Sequence, residues 1–89
     1  MRTSVDIRVT GRVQGVSFRY YAEREAARLG VAGWVRNEPD GSVAAHVEGD
    51  PSAVDAFVRW CHDGPSMAYV ERVDARPADD QGLTSFGVR

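Results

Sequence analysis

An α+β sandwich, with two helices lying on one face of an antiparallel sheet, is predicted for this chain from three observations. Apolar residues alternate along several short stretches, they recur at helical spacing along two others, and the stretches follow one another in the order βαββαβ. Strands and helices in these proportions bury their apolar faces most economically as two layers.

Each element has its own signal. Over residues 4–10, Val5, Ile7 and Val9 fall on one face and Asp6, Arg8 and Thr10 on the other, the pattern of a strand covered on one side. Gly11 ends it. After a short loop, Phe18, Ala22, Ala26 and Leu29 recur at helical spacing, with Glu23, Arg24 and Arg28 elsewhere around the helix and Gly30 as its stop. Residues 31–37 read as a second strand and 42–48 as a third. Between them Glu38-Pro39-Asp40-Gly41 carries turn chemistry, since proline fixes φ and glycine accepts a positive one. Val43, Ala45 and Val47 alternate with Ala44, His46 and Glu48, so the pair is expected to form a hairpin with one face on the core.

Asp50-Pro51 is a helix start, an N-cap acceptor followed by a proline whose missing N–H costs nothing there. Val54, Phe57, Val58 and Cys61 make the apolar stripe of this second helix, and Gly64-Pro65 ends it. Residues 69–76 read as a fourth strand, but Glu71 interrupts the alternation and leaves its buried face unassigned. Arg72, Asp74, Arg76 and Pro77 are residue types that protect a sheet edge. A polar loop over 78–82 and a short strand over 84–88 complete a ferredoxin-like βαββαβ sandwich.

Length and composition bound the function. Eighty-nine residues give room for one core, so residues 1–89 are expected to form one domain. With 43% hydrophobic and 27% charged residues, the chain has the composition of an ordinary soluble globule. No apolar run approaches about 18 residues, and residues 1–6 lack the apolar segment of a secretion signal. The lone cysteine, Cys61, cannot form an internal disulfide, which suits a reducing compartment. A net charge of -2 argues against broad nucleic-acid binding, which needs a basic surface to displace counterions. A monomeric cytoplasmic protein without membrane or nucleic-acid partners is the expectation.

The chemistry concentrates in residues 11–19, where a strand joins a helix through a glycine-punctuated loop. A loop running into a helix start presents unpaired N–H groups and the positive end of the peptide dipoles, and so favours an anion. Arg19 in the first helical turn is electrostatically disfavoured by itself, and makes sense if a multiply charged anion shares the site. Its planar guanidinium can meet two phosphate oxygens at once.

Val9-Thr10-Gly11-Arg12-Val13-Gln14-Gly15-Val16-Ser17-Phe18-Arg19 closely resembles the first signature of the acylphosphatase family. Gly33-Trp34-Val35-Arg36-Asn37, with Gly41, Val43 and Gly49 following, resembles its second, and Gly64-Pro65, Ala68, Val70 and Phe86 extend the likeness along nearly the whole chain. The resemblance implies hydrolysis of a small-molecule acyl phosphate to carboxylate and inorganic phosphate, without metal or cofactor, and with phosphate or sulfate as a competing anion. It places Arg19 and Asn37 at the two catalytic positions and Gln14, Gly15, Val16, Ser17, Phe18 and Arg19 around the phosphate. The chain departs from the family's pattern at Ala44, where many relatives carry an acidic residue, and at its end, Gly87-Val88-Arg89, where an aromatic or basic residue often stands near the site.

These residue types suit that chemistry. An acyl phosphate already has a good leaving group, so the obstacle is bringing water to a phosphorus ringed by negative oxygens, and charge stabilisation with positioning suffices. Asn37 offers an acceptor and two donors with which to hold a water, but is a poor base. Other readings rest on less. The loop lacks the Gly-Lys-Ser/Thr of a nucleotide P-loop. His46 and His62 have no histidine partner one helical turn away and read as surface or satisfied side chains. Cys61 lies on the apolar stripe as an inert thiol. Phe18, Tyr20, Tyr21 and Trp34 could form a base-stacking platform, but Trp34 and Trp60 fit packing better. A phosphate-ligand binding module without turnover, or an RNA-binding module on the same sandwich, are the competing classes.

Overall fold

The alternation over the first stretch does produce a strand, but a longer one: β1 spans Thr3–Arg12 and runs past Gly11 into the loop. The structure, a computed structural model, describes all 89 residues. After β1 come α1 (Phe18–Leu29), β2 (Ala32–Asn37), β3 (Val43–Gly49), α2 (Pro51–Asp63), β4 (Tyr69–Pro77) and β5 (Phe86–Val88). The punctuation works as its chemistry requires. Gly30 takes the left-handed conformation, φ 74°, and returns its N–H to the Ala26 carbonyl to close α1. The Asp50 carboxylate accepts from the Ser52 amide at 3.2 Å, with Pro51 at the start of α2.

The five strands form one sheet in the order β4-β1-β3-β2-β5. All neighbours are antiparallel except the pair β2 and β5. The short terminal stretch thus extends the expected antiparallel sheet by one parallel strand, because the loop 78–85 carries the chain from one edge of the sheet across to the other. Val9, Val35, Val43 and Val47 from the sheet meet Phe18, Ala22 and Ala26 of α1 and Val54, Phe57 and Cys61 of α2 in the core. Phe18 and Trp60 pack with ring centroids 5.2 Å apart, tying the first turn of α1 to α2. Burial pushes the Cys61 thiol up to about 12, so it packs as an inert apolar group.

Two features depart from the pattern read along the chain. β4 carries a bulge: Gly11 pairs with Val70 and Thr10 with Arg72, leaving Glu71 as the extra residue. Val70 and Val73, three apart, therefore both pack against the core, which is why no alternating face could be assigned. The second face of the hairpin, in turn, is not solvated along β3, although Arg36 of β2 is exposed there. Every residue of β3 is buried, including His46 and Glu48 with no exposed area. The loop 78–85 covers that second face, and the Gln81 and Leu83 amides donate to the Glu48 carboxylate.

The sheet order also settles which loops meet. β1 and β2 are both antiparallel to β3, which lies between them, so they are parallel to each other and end on the same side. The end of β1, Asn37 at the end of β2, and Val88 at the end of β5 thus come to one end of the molecule.

Candidate active site

Gly11 opens the site. Its φ is 126°, and a Cβ there would run into the Tyr69 carbonyl oxygen and lie 2.8 Å from the Glu71 amide nitrogen, so glycine lets β1 turn away against the β4 bulge. Gly15, φ 73°, faces open space and lets the loop curl. Ser17 is the one non-glycine residue with positive φ, at 63°, a conformation that costs a serine about 1–2 kcal/mol. Ser17 occupies the N-cap position of α1, yet its side chain caps nothing, and no acidic residue stands in the first turn. The amides of Gly15, Val16, Ser17, Phe18, Arg19 and Tyr20 donate to no carbonyl or side chain of the fold. Six successive unpaired donors stand on one loop and helix start, an arrangement that favours an anion.

A cleft of about 520 Å3 opens over this loop, lined by Val13, Gly15, Ser17, Phe18, Arg19, Tyr20, Glu23, Asn37 and Val88. Arg19 and Asn37, 18 residues apart in sequence, therefore face one space. Arg19 is partly exposed and makes no ion pair, although seven of the eight ion pairs elsewhere join other basic side chains to buried or surface carboxylates within 3.1 Å. The Asn37 Oδ1 is buried without a hydrogen-bond partner. Buried polar atoms are nearly always paired, so an unpartnered acceptor on a residue that lines the cleft stands out.

Of the loop residues expected around an anion, Gly15, Ser17, Phe18 and Arg19 line the cleft. Gln14 and Val16 do not. The Gln14 side-chain amide donates to the carbonyls of Glu38 at 2.7 Å and Ser42 at 2.8 Å, bracing the loop against the β2–β3 turn. The Val16 side chain packs against the core. Four residues that line the cleft were not singled out in the sequence as site residues: Val13, Tyr20, Glu23 and Val88. Glu23 falls one helical turn after Arg19, a spacing that could have suggested it. Val88 reaches the cleft only because β5 pairs parallel with β2.

Trp34 lies on the other face of the sheet, away from the cleft. It stacks on His46 with centroids 6.1 Å apart, and the Arg36 and Arg89 guanidiniums lie 4.8 and 5.0 Å from its ring centroid. His46 is a satisfied buried side chain: Nδ1 lies 2.7 Å from Asp6 Oδ1 and Nε2 2.6 Å from Glu48 Oε2. His62 is on the surface. Burial pushes the Glu48 carboxyl up, but the Gln81 amide, the His46 ring, the Leu83 amide and Arg2 outweigh it and bring the pKa down to about 2.

A cleft at the strand-end side of a ferredoxin-like sheet, bordered by an uncapped helix start, defines the class of this molecule: a small α+β sandwich with one loop–helix junction whose amides are uncommitted. The chain belongs to the acylphosphatase family, whose model, described as Acylphosphatase, matches residues 5–88. It is 80% identical to an acylphosphatase of a Nocardioides species over 89 residues, covering 100% of this chain and 90% of the relative. The fold superposes on the structure of an acylphosphatase from Coxiella burnetii with a TM-score of 0.95 at 31% identity, covering 99% of this chain and 93% of that one. The corresponding values for the crystal structure of acylphosphatase from Bacillus subtilis are 0.94, 34%, 100% and 99%.

Proposed function

We propose that this chain hydrolyses small-molecule acyl phosphates, with the phosphate held by the 14–19 loop and Arg19 and the attacking water positioned by Asn37. The observation that carries the reading is that one cleft is lined by five of the six residues with uncommitted amides, the unpaired Arg19 among them, and by Asn37 with its orphaned acceptor. The amides and the guanidinium match the charge of a phosphate dianion and its transition state. The unpartnered atom of Asn37 is Oδ1, and an acceptor is the polarity the step requires. A water that donates one O–H to Oδ1 turns a lone pair toward phosphorus, attack expels the carboxylate in line, and a phosphate oxygen takes the water's second proton. Gln14 contributes by holding the loop in place through Glu38 and Ser42. Residues 1–89 act in this reading as one domain, since the cleft draws its lining from Val13 near one end of the sequence to Val88 near the other.

Hydrolysis of benzoyl phosphate by the purified chain in EDTA tests the reading. Turnover is expected, with inorganic phosphate and sulfate as competitive inhibitors. A folded protein that binds phosphate at the loop without turnover would instead be a ligand-binding module.

A further inference from the structure

Of the nine residues lining the cleft, two carry charge: Arg19 and Glu23. They stand i, i+4 on α1 and so project from the same side of the helix. Glu23 is exposed and, like Arg19, forms no ion pair. If the phosphate takes the amides and Arg19, what remains to meet the other half of the substrate is the half-exposed Tyr20 ring, Val88 and the Glu23 carboxylate. No second cation lines the cleft.

We propose that Glu23 is a specificity-determining residue that makes the cleft take acyl phosphates with an uncharged acyl part and disfavour those carrying a second anion there. The proposal rests on the acyl phosphate reading above. The physical reason is additive. A second carboxylate or phosphate on the acyl side would find no partner to offset its desolvation, and it would approach a like charge fixed on the helix. At separations of several ångströms near a protein surface, like charges differ from a charge beside a neutral group by roughly three- to tenfold in an equilibrium or rate ratio, and added salt screens the difference. Tyr20 and Val88 offer an uncharged acyl group apolar surface in the same place.

The test compares benzoyl phosphate with 4-carboxybenzoyl phosphate, which adds one carboxylate to the same ring, in wild type, Glu23→Gln and Glu23→Arg proteins. Each rate is corrected for spontaneous hydrolysis. The quantity read is the ratio of kcat/KM for the two compounds within each protein, so any loss of overall rate or folded fraction cancels. The preference for benzoyl phosphate is expected to fall about three- to tenfold in Glu23→Gln and further in Glu23→Arg, and the differences should shrink at about 0.5 M salt. A ratio unchanged across the three proteins overturns the role of Glu23 alone. Failure of the folded wild type to turn over either compound overturns the acyl phosphate reading and this inference together.

Discussion

Arg19 stands in the first turn of α1, where a cation is unfavourable, and no carboxylate neutralises it. A residue held at a local cost without a structural partner is explained by its ligand. Arg19→Ala is therefore expected to lower kcat/KM by about 10²- to 10³-fold or more. Ser17 makes a finer distinction. Its backbone is left-handed and its hydroxyl caps nothing, so it should serve through its amide. Ser17→Gly should relieve strain, keep the amide and leave kcat/KM within about threefold, under ~1 kcal/mol. A much larger loss in steady-state kinetics would show that the hydroxyl holds the phosphate. At this scale Arg19 and Asn37 stand out in the sequence because each sits in a signature of the resemblance, whereas their facing one cleft follows from the sheet order. The committed Gln14 side chain does not stand out, because its partners are backbone carbonyls 24 and 28 residues away that no local pattern reveals.

The elements were legible where their apolar period is unbroken and their caps are explicit, as in α1 and α2. β4 was not, since one extra residue at Glu71 puts Val70 and Val73 on the same face and destroys the period of two. That bulge and Gly11 are two sides of one feature. The close approach of Gly11 to Tyr69 and Glu71 aims the end of β1 into the cradle. Gly11→Ala must abandon a φ of 126° or displace β4 backbone. It is expected to cost about 2 kcal/mol or more, lowering Tm by roughly 8 °C or more in a thermal melt. Phosphate binding should weaken with it, because the loop loses its anchor. An unchanged Tm would show that β1 and β4 pair more loosely than their register indicates.

The whole molecule holds a charged chain that periodicity could not reveal. Asp6, His46, Glu48 and Arg2 link across one face of the sheet, with His46 and Glu48 buried there and Asp6 and Arg2 exposed at the ends of the chain of contacts. The loop 78–85 leads into β5 and so to Val88 in the cleft. Burial alone would push the His46 pKa down, but its bonds to Glu48 and Asp6 prevail and raise it above the ordinary 6.5. The folded state thus binds the His46 proton more tightly than the unfolded state. Its contribution is complete below about 6.5 and is lost as pH rises through the raised value. Glu48 acts in the opposite sense, with a contribution present above its ordinary 4.5 and lost as pH falls toward about 2. Thermal melts should therefore show highest stability in weak acid and a decline above neutrality, which His46→Gln flattens. A wild-type Tm rising steadily from pH 6 to about 9 would contradict this role of the cluster.

These scales converge on Asn37, whose position at the end of β2 depends on sheet order and whose orphaned Oδ1 depends on burial. The most direct test is steady-state hydrolysis of benzoyl phosphate by Asn37→Ala beside Arg19→Ala, both confirmed folded by circular dichroism. Water positioning predicts that Asn37→Ala loses about 10²-fold or more in kcat with KM little changed, whereas Arg19→Ala also weakens phosphate binding. An Asn37→Ala protein that keeps its kcat and shows only a raised KM would contradict the account, because Asn37 would then hold the substrate and not the water.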